Sequence, residues 1–562
     1  MGETIGLFEA AEADARDIAV LFAGAWGVED LCSHRFIRML AERFSANGIA
    51  SLRFDYPGTC DALTDTATSI DLDSWTDSLV TSASLLKQTS GCHRIAIVAQ
   101  GIGAPLAALA APYIPGVDAM VLMAPVVSGR THVRELSAFL HVSAEKLLLR
   151  PDIDADAIAE VSLPAEVAAG LRTVDLLKLP STPAGHILVF ARQERPADGL
   201  LAGHLKTLGA DVTEKPFEGY DRLTVNPLLA TVPETVIDQT IAWVSDRASD
   251  LPTPKKSVAQ PLPTTHGTHE YAETPVRFGR SDRLFGIVCD PAIPAAAPAS
   301  QVLLLSAGYE RQSGWGGYTA RLARDLARFG ISSLRFDCSN VADSPPVEGH
   351  AGQVLYSDIQ VVDLREALDF MGARSPAPII AAGRCTGAYL AFQTALADTR
   401  LAGMVGINPE VFIWPQNRPI DSALTQQTQP LKHYGRRFLE LRSLKKALKG
   451  EINLVRKSAE IGFRLKQHAM RPLSKAIGGL SARERAVYEA FETLQNRQMP
   501  VTLLYSPDDI GMEERAHFFG GDGANRYPAI TTTVIADATH TFMQKHARAA
   551  YLDAIVKMAG SV

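Results

Sequence analysis

The chain contains no run of about 18 apolar residues free of charge, so no membrane-spanning helix is expected. It opens Met1-Gly2-Glu3-Thr4, without the basic region and apolar core of a secretory signal peptide. Its six cysteines, at 32, 60, 92, 289, 338 and 385, have neither the density of a disulfide framework nor the spacing of a metal site. A reducing, cytoplasmic setting without metal or cofactor is therefore expected. There is no excess of positive charge either. A net charge of −7 argues against general nucleic-acid binding. What remains is an ordinary globular composition, 46% hydrophobic and 21% charged. At 562 residues the chain is too long for one core, and two or more domains are expected.

One pattern occurs twice. Residues 48–55 read Gly-Ile-Ala-Ser-Leu-Arg-Phe-Asp and residues 330–337 read Gly-Ile-Ser-Ser-Leu-Arg-Phe-Asp. Each run follows an amphipathic helical segment, and each segment follows an apolar strand, at 18–23 and 302–307. Further matches pair 95–99 with 379–383 and 119–125 with 403–409. Strands alternate with helices throughout, which indicates a parallel α/β sheet in each half. The repeat reads as a tandem duplication. Between the halves, residues 248–274 carry Pro252, Pro254, Pro261 and Pro263 among Ser, Thr and His, the composition of an extended linker. Residues 276–288 read as a β-hairpin, with its turn at 279–282.

Cys385 stands at the centre of Gly383-Arg384-Cys385-Thr386-Gly387-Ala388, directly after the apolar run 377–382. A strand, a sharp turn and a helix start are expected, with a thiol at the apex. This is the form of the G-x-S-x-G nucleophile elbow with Cys for Ser. The partial positive charge of a helix N-terminus favours the thiolate, the reactive form of cysteine. A free cysteine is otherwise most often a small buried hydrophobe. The aligned position in the first half is Gly101, in Ala99-Gln100-Gly101-Ile102-Gly103, and glycine has nothing to attack with. That half is read as a structural partner, a lid or a binding platform.

The rest of a triad follows in the second half. Asp508 and Asp509 come after the strand 501–505, and His540 comes after the strand 532–535. The order nucleophile, acid, histidine is that of an α/β hydrolase. His540 would accept the thiol proton and later activate an acceptor, while Asp509, favoured over Asp508, orients its ring. In the first half no histidine follows the last strand, and Glu194 is the candidate at the acid position. Two backbone N–H groups should form the oxyanion hole, that of Thr386 and one in the loop after 302–305, where Tyr309 is chosen.

Between Pro409 and Val501 lies an insertion that reads as helices at 431–448, 452–464 and 482–494. From 431 to 475 there are thirteen basic residues against three acidic ones. Arg436, Arg437, Lys445 and Lys446 are the candidate anion-binding positions of this cap. Its apolar residues suit either an acyl chain or an ordinary core.

These motifs resemble the α/β-hydrolase superfamily over nearly the full length, twice. The second half is similar to hydrolases with a Gly-x-Cys elbow encoded beside bacterial exosortase and exopolysaccharide systems. The likeness lies in Ser333-Leu334-Arg335-Phe336-Asp337, Gly383-Arg384-Cys385 and Gly406-Ile407-Asn408-Pro409. The resemblance implies two tandem α/β-hydrolase-like domains, each a mostly parallel sheet with helices on both faces. Residues 1–247 would form a degenerate domain. Residues 275–562 would form the catalytic one, with a helical cap at about 411–499. It implies acyl transfer through an acyl-thioester, by an acyltransferase, thioesterase or esterase, in polysaccharide or lipid biosynthesis. The substrate would be an acyl ester or thioester, CoA- or carrier-protein-linked. The rival reading is a non-catalytic binding or scaffold protein.

Overall fold

A computed structural model of the chain describes residues 4–62, 70–249, 265–293, 300–352, 354–414, 481–520 and 526–562. The fold is mixed α/β, with mostly parallel sheets flanked by helices. The chain divides into two compact units. The first comprises Met1–Pro298 and Gly308–Gln353, the second Ala299–Ala307 and Val354–Val562. No helix among the described residues is long and apolar enough to cross a membrane.

The first unit holds strands β1 (Gly6–Glu9), β2 (Ile18–Ala23), β3 (Ser51–Phe54), β4 (Arg94–Gln100), β5 (Val117–Met123), β6 (His186–Ala191) and β7 (Asp211–Pro216). Their order is β1-β3-β2-β4-β5-β6-β7, with only β1 antiparallel to its neighbour. β2 is buried at every position because helices cover both faces of a parallel sheet. Its alternate residues serve different cores. Ala19, Leu21 and Ala23 pack with the helix Leu72–Ser90, while Ile18, Val20 and Phe22 pack with the helices Val28–Ala46 and Glu234–Ser245. β7, at the edge, has no fully buried residue, and Asp211, Glu214 and Pro216 are exposed.

The same unit holds β8 (His266–Gly267), β9 (Tyr271–Phe278), β10 (Leu284–Pro291) and, after β11 (Gln301–Leu305) in the second unit, β12 (Ser332–Phe336). β8, β9, β10 and β12 pair antiparallel in that order. β8 and much of β9 thus lie inside the stretch read from sequence as linker. The polar look of that stretch misleads because Glu273 is fully buried, held by arginines rather than by water. The second unit places β13 (Ile379–Arg384), β14 (Leu401–Ile407), β15 (Val501–Tyr505) and β16 (Ile530–Val534) in the order β16-β15-β14-β13-β11, all parallel.

Some local features occur in both sheets. Gly6 pairs with Phe54 in one strand pair and Gly286 with Phe336 in another. A register shift falls between Ile95 and Ala96 on β4, and another between Ile379 and Ile380 on β13.

The expected helix at 482–494 is observed as Ala482–Asn496. It is not a cap helix but part of the core. Phe491 meets Phe392, Phe412 and Phe519 at centroid distances of 5.8, 5.0 and 5.1 Å. The other two expected cap helices, with Arg436, Arg437, Lys445 and Lys446, lie outside the described residues.

Buried ion pairs join distant segments of the first unit. Arg311 reaches Asp55 at 2.6 Å and Asp61 at 3.0 Å. Arg53 pairs with Asp343, and in return Arg335 pairs with Asp61 at 3.2 Å. Arg335 and Arg324 both hold Glu273 at 2.8 Å. Burial opposes the ionisation of Asp61, but Arg311 and Arg335 outweigh it and lower its pKa. This network explains why the unit boundary does not fall at the expected position, 274/275. The segment 308–353 is tied by charge to the loop that follows β3.

Removing one partner of such a pair strands a buried charge. Arg53→Met is expected to cost about 3–5 kcal/mol in denaturant unfolding. Arg53→Met/Asp343→Asn, which orphans no full charge at that contact, should recover part of the loss. Equal stability of the single and double variants would contradict the pairing.

Candidate active site

β13 delivers Cys385 to a turn with φ 56° and ψ −117°, and the helix Thr386–Ala397 begins at the next residue. A non-glycine residue there carries strain of about 1–3 kcal/mol, which its surroundings must hold. They do so by close approach. A Cβ on Gly387 would lie 2.6 Å from the Leu305 carbonyl oxygen, and one on Gly383 would lie 2.5 Å from the Gly387 carbonyl carbon. The Cys385 N–H also donates to the Ile407 carbonyl at 2.8 Å, which fixes the elbow to β14.

Asp509 lies in the turn after β15 and is 5% exposed, whereas Asp508 beside it is exposed. One Asp509 oxygen accepts the Gly511 N–H at 2.8 Å. The other lies 2.5 Å from His540 Nδ1. The Cys385 sulfur lies near enough to act electrostatically on the same ring. That ring keeps 40% of its surface exposed, which leaves it open to a reactant. Partial burial works against the imidazolium. The Cys385 sulfur and the Asp509 carboxylate outweigh that cost and raise the His540 pKa well above 6.5. Asp509, His540 and Cys385 thus lie in one neighbourhood of the second unit, with the ring held by the carboxylate.

Thr386, the first oxyanion candidate, is buried at the start of the helix. Tyr309, the second, belongs to the stretch Gly308–Gln353 of the first unit. Within the second unit, a Cβ on Gly387 would also lie 2.9 Å from the Ser306 carbonyl oxygen, so the end of the stretch after β11 packs on the elbow.

Asn408 is a positioning residue that the sequence reading did not assign. It is fully buried, has φ 46°, and accepts the Ser506 N–H at 2.8 Å. Its amide donates to Ser506 Oγ and to the His540 carbonyl, each at 3.1 Å. One side chain thus ties the end of β14 to the loops carrying the acid and the base. The signal was an asparagine directly after an apolar strand, before Pro409. One turn beyond Cys385, Tyr389 meets Tyr356 at 4.8 Å, and Tyr356 stacks on Trp414 at 4.2 Å. This aromatic cluster was not foreseen either, because its members are far apart in sequence.

The first unit builds the same turn without the reactive group. Gly101 has φ 56°, and a Cβ there would meet Glu29 Oε2 at 2.5 Å. Glu29 thus fills the space a nucleophile would need. Gln100 donates to Glu29 at 3.1 Å, and Tyr220, in the loop after β7, also hydrogen-bonds to it. Burial raises the Glu29 pKa above the ordinary carboxylate value. Glu194 is exposed, and the buried carboxylate after β6 is Asp198, held by Arg192 at 2.9 Å.

No protein-family model matches the chain, and no curated protein matches it. Several solved structures align with about half of it. An esterase from Pyrococcus furiosus is 15% identical over 52% of this chain and 90% of its own, with a TM-score of 0.32. An α/β hydrolase from a Penicillium species is 13% identical over 51% and 97%, with a TM-score of 0.32. A dienelactone hydrolase from Anabaena variabilis is 12% identical over 52% and 97%, with a TM-score of 0.31.

A cationic neighbour activates a cysteine sulfur. Alkylation of Cys385 by iodoacetamide at pH 7, mapped by mass spectrometry, should slow by roughly tenfold or more in His540→Ala. Asp509→Asn should have a smaller effect. An unchanged rate in His540→Ala would rule out activation by the ring.

Proposed function

We propose that the second unit is an acyl-transfer enzyme of the α/β-hydrolase type, working through a Cys385-His540-Asp509 triad. The observation that supports the reading is the Asp509 carboxylate on His540 Nδ1, with the Cys385 sulfur acting on the same ring from a strained strand-to-helix turn. The Cys385 sulfur attacks the acyl carbon of an ester or thioester. Charge passes to the carbonyl oxygen, which the backbone N–H of Thr386 stabilises. The C–O or C–S bond to the leaving group breaks as His540 returns the proton to it. An acyl-thioester on Cys385 remains. His540 then deprotonates water, an alcohol or an amine, which takes the acyl group and frees the sulfur. Transfer from one thioester to another sulfur is close to balanced in energy, so acyltransferase or thioesterase action suits a cysteine best. Esterase action uses the same steps.

The proposal includes a tandem duplication. It is supported by the matching strand pairs at Gly6 and Gly286, the matching register shifts, and the left-handed residues at Gly101 and Cys385. In this reading the first copy has lost its nucleophile and closed the vacant space with Glu29. The basic segment 431–475 would favour a donor on an anionic carrier, such as CoA or a phosphopantetheine arm.

The test is intact-protein mass spectrometry after brief exposure to activated esters and acyl-CoA thioesters, with product release read in the same samples. Wild type should gain one acyl group on Cys385, or release product, and Cys385→Ala should do neither. Equal labelling of both proteins, or neither adduct nor product across the panel, would overturn the reading. A carrier-linked donor should lose activity steeply with added salt, and a small neutral ester should not.

A further inference from the structure

We propose that the first unit binds an anionic amphiphile, with a phosphate head at Arg130, Arg134 and Arg172 and an aliphatic tail in the adjoining apolar cleft. A cavity of about 480 Å³ lies where loops leave the carboxyl ends of β2, β5 and β7. This is where open α/β sheets take their ligands, and the volume is that of a small-molecule site. Trp26, Val28, Val133, Leu136, Leu140 and Leu163 give it apolar walls. Glu29, the residue that fills the nucleophile position beside Gly101, also lines it. A site placed like an active site but lacking a nucleophile can bind without reacting.

A second recess of about 410 Å³ is lined by Arg130, Thr131, Arg134, Ser137 and Arg172. Ser137 and Arg172 line both cavities, so the two adjoin. No carboxylate lines the second recess, and none of its three arginines is paired with one among the described residues. Nearby Glu135 is engaged by Arg195 at 2.7 Å. Arg130, Arg134 and Ser137 lie at the spacing of one helix face, on the helix Gly129–Lys146. Arg130 stands in its first turn, which has no acidic residue, so the helix dipole adds to the positive field rather than cancelling it.

The apolar side of that helix is also open. Only Gly129 and Val133 are buried, and Phe139 stays 52% exposed. Apolar walls alone would accept any oily molecule, and the arginines alone any anion. Their junction at Ser137 and Arg172 selects a molecule that carries both. Three guanidinium groups with hydroxyl donors beside them suit the tetrahedral oxygens of a phosphate.

The experiment is calorimetric titration of full-length Cys385→Ala with dodecyl phosphate below its micelle concentration. Dodecanol tests the tail alone and inorganic phosphate the head alone. Dodecyl phosphate should bind saturably, more tightly than either part, and weaken with added salt. Arg134→Gln and Arg172→Gln should each weaken it about tenfold, as expected for loss of a charged hydrogen bond. Both residues are exposed, so folding should be unaffected. Leu136→Asn should weaken the phosphate and the alcohol alike. Absence of binding, or binding indifferent to both arginine substitutions, would overturn the proposal. So would binding to anionic vesicles without binding to free dodecyl phosphate, which would make the patch a membrane contact. The readout is binding without turnover, so it stands or falls separately from the acyl chemistry of the second unit.

Discussion

Arg311 sits nearly out of contact with water, with Asp55, Asp61 and Asp343 gathered around it. Several charges in one dry place are costly unless nearly all are matched. Meeting that condition fixes much else. It holds the loops after β3 and β12 against each other through paired arginines and aspartates. It draws the segment 308–353 into the first unit and lets Glu273 be buried in β9. The apolar sheets supply most of the stability. The charges decide which segments belong together.

The chain makes the same strand-to-helix turn twice and uses it differently. At Cys385 the turn presents a sulfur to an imidazole backed by a buried carboxylate. At Gly101 the backbone is alike, but a carboxyl group from another helix occupies the apex. A strained turn needs a close-packed frame, and both turns have one in Gly103 and Gly387, each pressed against a strand carbonyl. Such a frame holds sheet and helix together whatever residue stands at the apex of the turn.

Much of this could be read in advance, and the reasons differ by element. β2 is an unbroken apolar run, and β4 and β13 are apolar through their centres, between turn signals. The elbow was visible because steric crowding demands glycines at fixed spacing around Cys385. Asp509 and His540 could be located because each follows a strand, in an order that the sheet topology imposes. Asn408 was harder, since its work is done by one side chain bridging residues far off in sequence. Glu273 and the arginines escaped for the same reason. A buried ion pair looks like two surface residues until both partners are seen. The filling of the Gly101 site by Glu29 left no local trace at all.

The reciprocal pairing of Arg53 with Asp343 and of Arg335 with Asp61 also orders events in time. Synthesis runs from the N-terminus, so the sheet of β1–β7 leaves the ribosome well before Arg311 and Arg335 exist. During that interval Asp55 and Asp61 have no guanidinium to meet, and their loop must stay hydrated. The early sheet can form, but its last loop waits for the later chain. The ion-pair network of the first unit is thus complete only once the chain through Asp343 has been made.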